Sequence, residues 1–212
     1  MSEIMIKVEN AVKKFKDATV LNNVSIEFEK GKIHGLVGRN GSGKTVLMKC
    51  ICGLMPLTSG TITVDGKVIG KDTDIPDSLG MIIEAPGFLP NYSAFKNLKF
   101  LASIRNTIDD EQIKQAITTV GLDPESKKHV GKFSLGMRQR LGLAQAFMEN
   151  PDLLVLDEPM NGLDNKGVED IRKILLDLKE NGKTIIIASH SKDDIDVLCD
   201  TVHMMDSGIL TD

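Results

Sequence analysis

Apolar residues recur along this chain in more than one rhythm. Ile4 to Val8 and Val24 to Phe28 alternate apolar with polar residues, the period of half-buried strands. Ile33 to Val37 is a short apolar run that enters a glycine-rich turn at Gly38. A helix is expected to start near Lys44, to run through Val46, Leu47 and Ile51, and to stop near Gly53 and Pro56. Thr61 to Val64 reads as a strand turned by Asp65-Gly66, and Met81 to Ile83 as another short apolar run.

The texture changes at Pro86. Pro86, Gly87, Pro90 and Asn91 mark a loop. Phe95, Leu98 and Leu101 then recur at helical spacing, and Ile113, Ala116, Ile117 and Val120 follow the i, i+3, i+4, i+7 pattern up to Gly121. Leu135 to Met148 reads as a helix stopped before Pro151. Leu153 to Leu156 and Thr184 to Ala188 read as buried strands, on either side of an amphipathic helix from Val168 to Leu178 that Asn181-Gly182 ends. Continuous β-branched runs alternating with helices imply a mainly parallel sheet covered on both faces. The expected fold is therefore α/β. Its core is formed by 1–84 and 150–212, with an N-terminal antiparallel β part and a helical subdomain at about 85–149. Ser207-Gly208 opens a hairpin close to the last residue, so the natural chain is expected to run on further.

A length of 212 residues suits one such domain. Hydrophobic residues at 41% and charged residues at 26% are an ordinary globular mix. The net charge of −4 argues against a surface built to coat nucleic acid or anionic lipid. Cys50, Cys52 and Cys199 are too few and oddly numbered for a disulfide framework and read as reduced thiols, which suits a cytosol. No apolar run reaches 18 residues, and Met1 to Lys7 lacks a signal peptide's apolar block. Any service to a membrane must pass through a partner.

Chemistry concentrates at three strand ends. Gly38-Arg39-Asn40-Gly41-Ser42-Gly43-Lys44-Thr45 fits G-x-x-x-x-G-K-[ST]. Its glycines let backbone N–H groups turn around phosphate oxygens, and the helix start adds its partial positive charge. Lys44 brings a full charge to the β- and γ-phosphates, and the Thr45 hydroxyl can ligate Mg²⁺. Gly38, Asn40 to Gly43, Lys44, Thr45 and Val46 form the candidate nucleotide-binding set. Chance gives the bare pattern in roughly two of a hundred such chains, so the strand before it and the helix after it decide the matter. The second strand end is Leu153 to Glu158, an apolar run closing on two acids. Asp157 is placed to hold Mg²⁺, and Glu158 to orient and deprotonate an attacking water. The third is Ile185 to His190. A lone histidine is usually structural, but with the other parts present His190 is a candidate donor to a γ-phosphate. His34, His129 and His203 are read as structural.

Between these lies Phe133-Ser134-Leu135-Gly136-Met137-Arg138-Gln139-Arg140. With it, the chain resembles the nucleotide-binding domains of ABC transporters over nearly its whole length. The segment is similar to the family signature LSGGQ: Ser134 and Gly136 match, while Leu135 and Met137 stand for a glycine and a glutamine. The resemblance implies a head-to-tail dimer, in which Ser134, Gly136 and Met137 close over the γ-phosphate held by the opposite copy. It implies that Asn161 to Asp164 link the two sites and that Phe15 stacks on adenine. At Glu84 the family usually has a glutamine that senses Mg²⁺; a carboxylate there is a stronger metal ligand. Glu84 and S-L-G-M-[KR]-Q-R together resemble the bacitracin-resistance and lantibiotic-immunity exporters. The implied function is an Mg·ATP-hydrolysing subunit, cytoplasmic and peripheral on the inner membrane face. Transmembrane permease subunits would dock on it around Glu84 to Phe100. Three other readings carry less weight: a soluble ABC-type ATPase acting on nucleic acid or ribosomes, a regulatory ATP-binding module, and another P-loop enzyme such as a kinase.

Overall fold

The computed structural model describes residues 3–16 and 18–211. Two sheets carry the fold. The first is antiparallel, in the order β2-β1-β4-β5, built from β1 (Ile4–Phe15), β2 (Ala18–Glu29), β4 (Ser59–Val64) and β5 (Lys67–Val68). The second runs β10-β9-β3-β8-β7-β6, from β3 (Ile33–Val37), β6 (Leu79–Ile82), β7 (Leu153–Asp157), β8 (Thr184–Ala188), β9 (Thr201–Asp206) and β10 (Ile209–Thr211). All its neighbours pair parallel except the β9–β10 hairpin.

The parallel strands are apolar throughout because both faces are covered. Leu154, Leu156, Ile185 and Ile187 point into one core with the central helices, while Leu153, Val155, Ile186 and Ala188 point into the other, towards the antiparallel sheet. The helices are α1 (Lys44–Ile51), α2 (Ala94–Arg105), α3 (Asp110–Thr119), α4 (Leu135–Phe147), α5 (Asn165–Glu180) and α6 (Lys192–Leu198). Helices α2, α3 and α4 all fall between β6 and β7 and pack on one another through Leu98, Ile113, Ile117 and Leu141.

The N-terminal strands are longer than their alternation suggests. β1 continues past Val8 to Phe15 because register shifts at Val8/Ala11 and beyond absorb extra residues, with Asn10 at φ 51°. Each bulge resets the period, so the pattern is lost while the pairing continues. β2 likewise begins at Ala18, six residues before its readable stretch. The α6 helix and strand β9 are additions to the sequence reading.

Burial pushes the thiols of Cys50 up to about 11 and of Cys52 and Cys199 up to about 12, so they remain protonated. His34 is structural: its ring nitrogens meet the Thr201 hydroxyl at 2.7 Å and the Glu29 carbonyl at 2.9 Å, and burial lowers its pKa.

Candidate nucleotide site

The carboxyl ends of β3, β6 and β7 open into a cleft of about 540 Å³, and His190, past the end of β8, lines an adjoining cavity that shares Glu158 with it. The floor of the cleft is the loop from β3 into α1. Helices α2 to α6 each begin on a serine or aspartate whose side chain accepts a backbone N–H. Helix α1 begins instead on Gly43, at φ 109°, with no side-chain cap. Its first amides are thus left for a ligand. The glycines are forced: a Cβ on Gly38 would sit 2.1 Å from the Met205 carbonyl oxygen, and one on Gly43 2.9 Å from that of Val20. Ser42 is buried, and its hydroxyl has no hydrogen-bond partner. An unpaired buried hydroxyl costs about 1–3 kcal/mol, which marks the loop as shaped for something it would bond. Lys44 curls over this loop, its Nζ donating to the carbonyls of Gly38 at 2.6 Å and Arg39 at 3.1 Å. The ammonium's remaining donor is open to a phosphate.

Asp157 and Glu158 enter from the end of β7. The Thr45 hydroxyl donates to Asp157 Oδ2 at 2.7 Å, joining the first turn of α1 to the acid. These two oxygen ligands fit an Mg²⁺ whose other positions come from phosphates and water, the usual division for that ion. Glu158 adopts the left-handed region at φ 50°, rare for a non-glycine residue. The Glu158 amide donates to the Ala188 carbonyl at 2.9 Å, and the Glu158 carbonyl accepts from Gln139 Nε2 at 3.2 Å. The side chain is therefore aimed by a fixed backbone. His190 Nδ1 stands 2.8 Å from Glu158 Oε2. The acid and the histidine, read from separate strand ends, meet as a pair.

Such a set (open cradle, hydroxyl–acid metal pair, acid–histidine pair) suits cleavage of a terminal phosphate by water. The ABC transporter family profile matches residues 21–161. This chain belongs to the ABC transporter family. It is an ATP-binding ABC domain and an ATPase. The ABC transporter ATP-binding protein YybJ of Bacillus subtilis is 50% identical over 206 residues, 97% of this chain and 94% of the relative. The bacitracin transport ATP-binding protein BcrA of Enterococcus faecalis is 41% identical, covering 99% of this chain and 69% of its own length. The lantibiotic transport ATP-binding protein SrtF of Streptococcus pyogenes is 38% identical, covering 96% and 88% respectively. Among solved structures, the dimeric bacterial ABC transporter cassette MJ0796 superposes with a TM-score of 0.89 at 22% identity, covering 98% of this chain and 97% of that one. That likeness establishes the ABC cassette fold.

Not every candidate residue lines the cleft. Asn40 to Val46, Glu84, Asp157 and Glu158 do. Phe15 lies at the end of β1, 43% exposed, with the Lys13 ammonium 5.1 Å from its ring centre; Val20 is the nearby strand residue that lines the cleft. Ser134 caps α4 by accepting the Met137 amide at 3.2 Å. Gly136 packs on the loop after β7, where a Cβ would approach the Gly162 carbonyl oxygen to 2.9 Å. Ser134, Gly136 and Met137 are not among the lining residues; Leu135, Arg138 and Gln139 of the same helix are. These three share a face at i, i+3, i+4 spacing, the signal by which they could have been found. A half-buried brace behind His190 carries no local sequence signal. Arg172 of α5 donates to Asp194 Oδ1 through Nε at 2.9 Å and its terminal nitrogen at 2.6 Å, and Ser189 Oγ donates to Asp194 Oδ2 at 3.3 Å. Among the described residues, no helix is long and apolar enough to cross a membrane.

Proposed function

We propose that this ABC domain is the motor of an exporter for an antimicrobial peptide or a similar amphiphile, working as a head-to-tail pair beneath transmembrane permease subunits. Kinship with bacitracin and lantibiotic transport proteins supports the substrate class. Glu84, where most of the family has glutamine, supports the same group. The dimeric cassettes that share the fold support the pairing. The 85–149 subdomain, with its exposed Leu89, Tyr92 and Phe100, is the proposed docking side for permease subunits at the inner face of the membrane.

The observation that carries the reading is the uncapped glycine start of α1 beside the Thr45–Asp157 and Glu158–His190 pairs. In this assignment Gly38 and Asn40 to Val46 hold the triphosphate and Lys44 neutralises it. Phe15 stacks on the base. Thr45, Asp157 and Glu84 hold Mg²⁺, which supplies charge neutralisation at the phosphates when bound. Glu158, aimed by its backbone and by His190, takes the proton of the attacking water. Ser134, Gly136 and Met137 complete the opposite copy's site.

Glu158→Gln removes the base while keeping size and polarity. Turnover is expected to fall about a hundredfold or more, with ATP affinity retained. Measuring Mg-dependent hydrolysis against protein concentration completes the test. A rate per molecule that rises with concentration supports the composite site, whereas normal turnover by Glu158→Gln would end the assignment. For the export reading, expression with its permease subunits should raise the tolerance of a sensitive host to bacitracin or a lantibiotic, and the Glu158→Gln motor should not.

A further inference from the structure

The parallel register of β6 and β7 sets Ile82 opposite Leu156. Two residues past each strand position, Glu84 and Glu158 leave the sheet at one level, with Asp157 beside them. Three carboxylates thus line one cleft, and each is held by a different donor. Thr45 takes Asp157 at 2.7 Å, His190 takes Glu158 at 2.8 Å, and Lys49 Nζ takes Glu84 Oε1 at 2.6 Å. Lys49 lies one turn after Thr45 on α1, so the two donors share a helix face. Glu84 therefore sits between two attractions on one helix, its lysine and the proposed metal position.

The pair is unequal. The Lys49 side chain is 24% exposed and its stem packs against the protein, whereas the Glu84 side chain is 66% exposed. Glu84 is also in the left-handed backbone region, at φ 61°. An ion pair this exposed is weak, so the carboxylate can leave it for a divalent ion without a large barrier. Glutamine at position 84 would lack the charge that such a lysine holds.

We propose that Lys49 is a positioning residue that parks the Glu84 carboxylate away from the Thr45–Asp157 metal position, and that Glu84 leaves it when the metal–nucleotide complex binds. The inference rests on the assignment of Thr45 and Asp157 as metal ligands. It makes the affinity for metal a competition between Lys49 and the ion.

The test is a titration of free Mn²⁺ by electron paramagnetic resonance, using the full chain with ADP present. Lys49→Met is expected to bind Mn²⁺·ADP about two- to fivefold more tightly than wild type, the scale of an exposed ion pair. Lys49→Arg should restore the wild-type value. In a Glu84→Gln background, Lys49→Met should have no effect. Unchanged affinity in Lys49→Met, or a gain that persists undiminished in the Glu84→Gln background, overturns the proposal; the second result would mean simple repulsion between Lys49 and the ion. Wild-type protein that binds ADP but shows no Mn²⁺ uptake sinks the metal assignment itself, and the inference with it. Circular dichroism checks the fold of each variant, with Lys49→Gln replacing Lys49→Met if the latter does not fold.

Discussion

Two helix starts in this molecule carry serines with opposite circumstances. Before α1, the Ser42 hydroxyl is buried without a partner, and Gly43 gives the helix no side-chain cap. Before α4, Ser134 is exposed and already accepts the Met137 amide. The first start leaves polar groups unsatisfied on its own chain; the second satisfies one of its own amides. In the proposed assignment the first start forms a site within one copy, while the second, in the proposed dimer, engages a phosphate held by another. An open helix start binds strongly but costs stability in the free protein. A capped start stays stable while it waits.

Breaking the open side should give the largest effect. Lys44→Ala removes the ammonium that now bridges two loop carbonyls and would meet the phosphates. Charge-assisted hydrogen bonds contribute about 1.5–3 kcal/mol each. Nucleotide affinity, read by isothermal titration, should fall about ten- to a hundredfold. A loss under threefold would mean that the phosphates do not lie in this loop.

The two serines sharpen the contrast by a crossed pair of substitutions. Ser42→Ala deletes a hydroxyl that nothing satisfies in the free protein, so the stability read from urea unfolding should hold or rise by up to about 1 kcal/mol. Its nucleotide affinity should drop. Ser134→Ala removes a helix cap and should cost about 1 kcal/mol of stability. The affinity of the single chain for nucleotide should not change, although turnover by the pair should. If both variants moved stability and affinity in the same direction, the two helix starts would not differ in the way argued here.

What could be read from the chain was whatever is contiguous. The cradle is legible because strand, glycine turn and helix start follow within a dozen residues, and local φ demands select the residue types. The buried strands β3, β7 and β8 are legible because two covered faces make them apolar throughout. Helix α6 escaped because Lys192–Leu198 has few apolar positions, although Ser191 followed by Asp194 carried a capping signature. β1 was half read because its bulges scramble the alternation. Contacts between distant residues were the hardest to see. Nothing local announces that Lys49 meets Glu84, thirty-five positions on, or that Arg172 braces Asp194 behind His190. Those pairings come from the parallel order of β3, β8, β7 and β6, which no short window encodes.

The smallest expected effect tests the capped side most finely. Met137 is half-buried at the start of α4, with its sulfur 3.9 Å from Lys128 Nζ. Met137→Gln supplies the amide that the commoner signature carries. The backbone N–H that bonds Ser134 is untouched, and the two side chains have similar length, so stability should stay within about 0.5 kcal/mol. Met137 does not line the cleft of its own copy, so nucleotide affinity at low protein concentration should match wild type. Any change in turnover must then act through the second copy, and it should grow as protein concentration rises. A shift in single-chain affinity as large as that of Ser42→Ala would place Met137 in its own copy's site and collapse the distinction between the two helix starts.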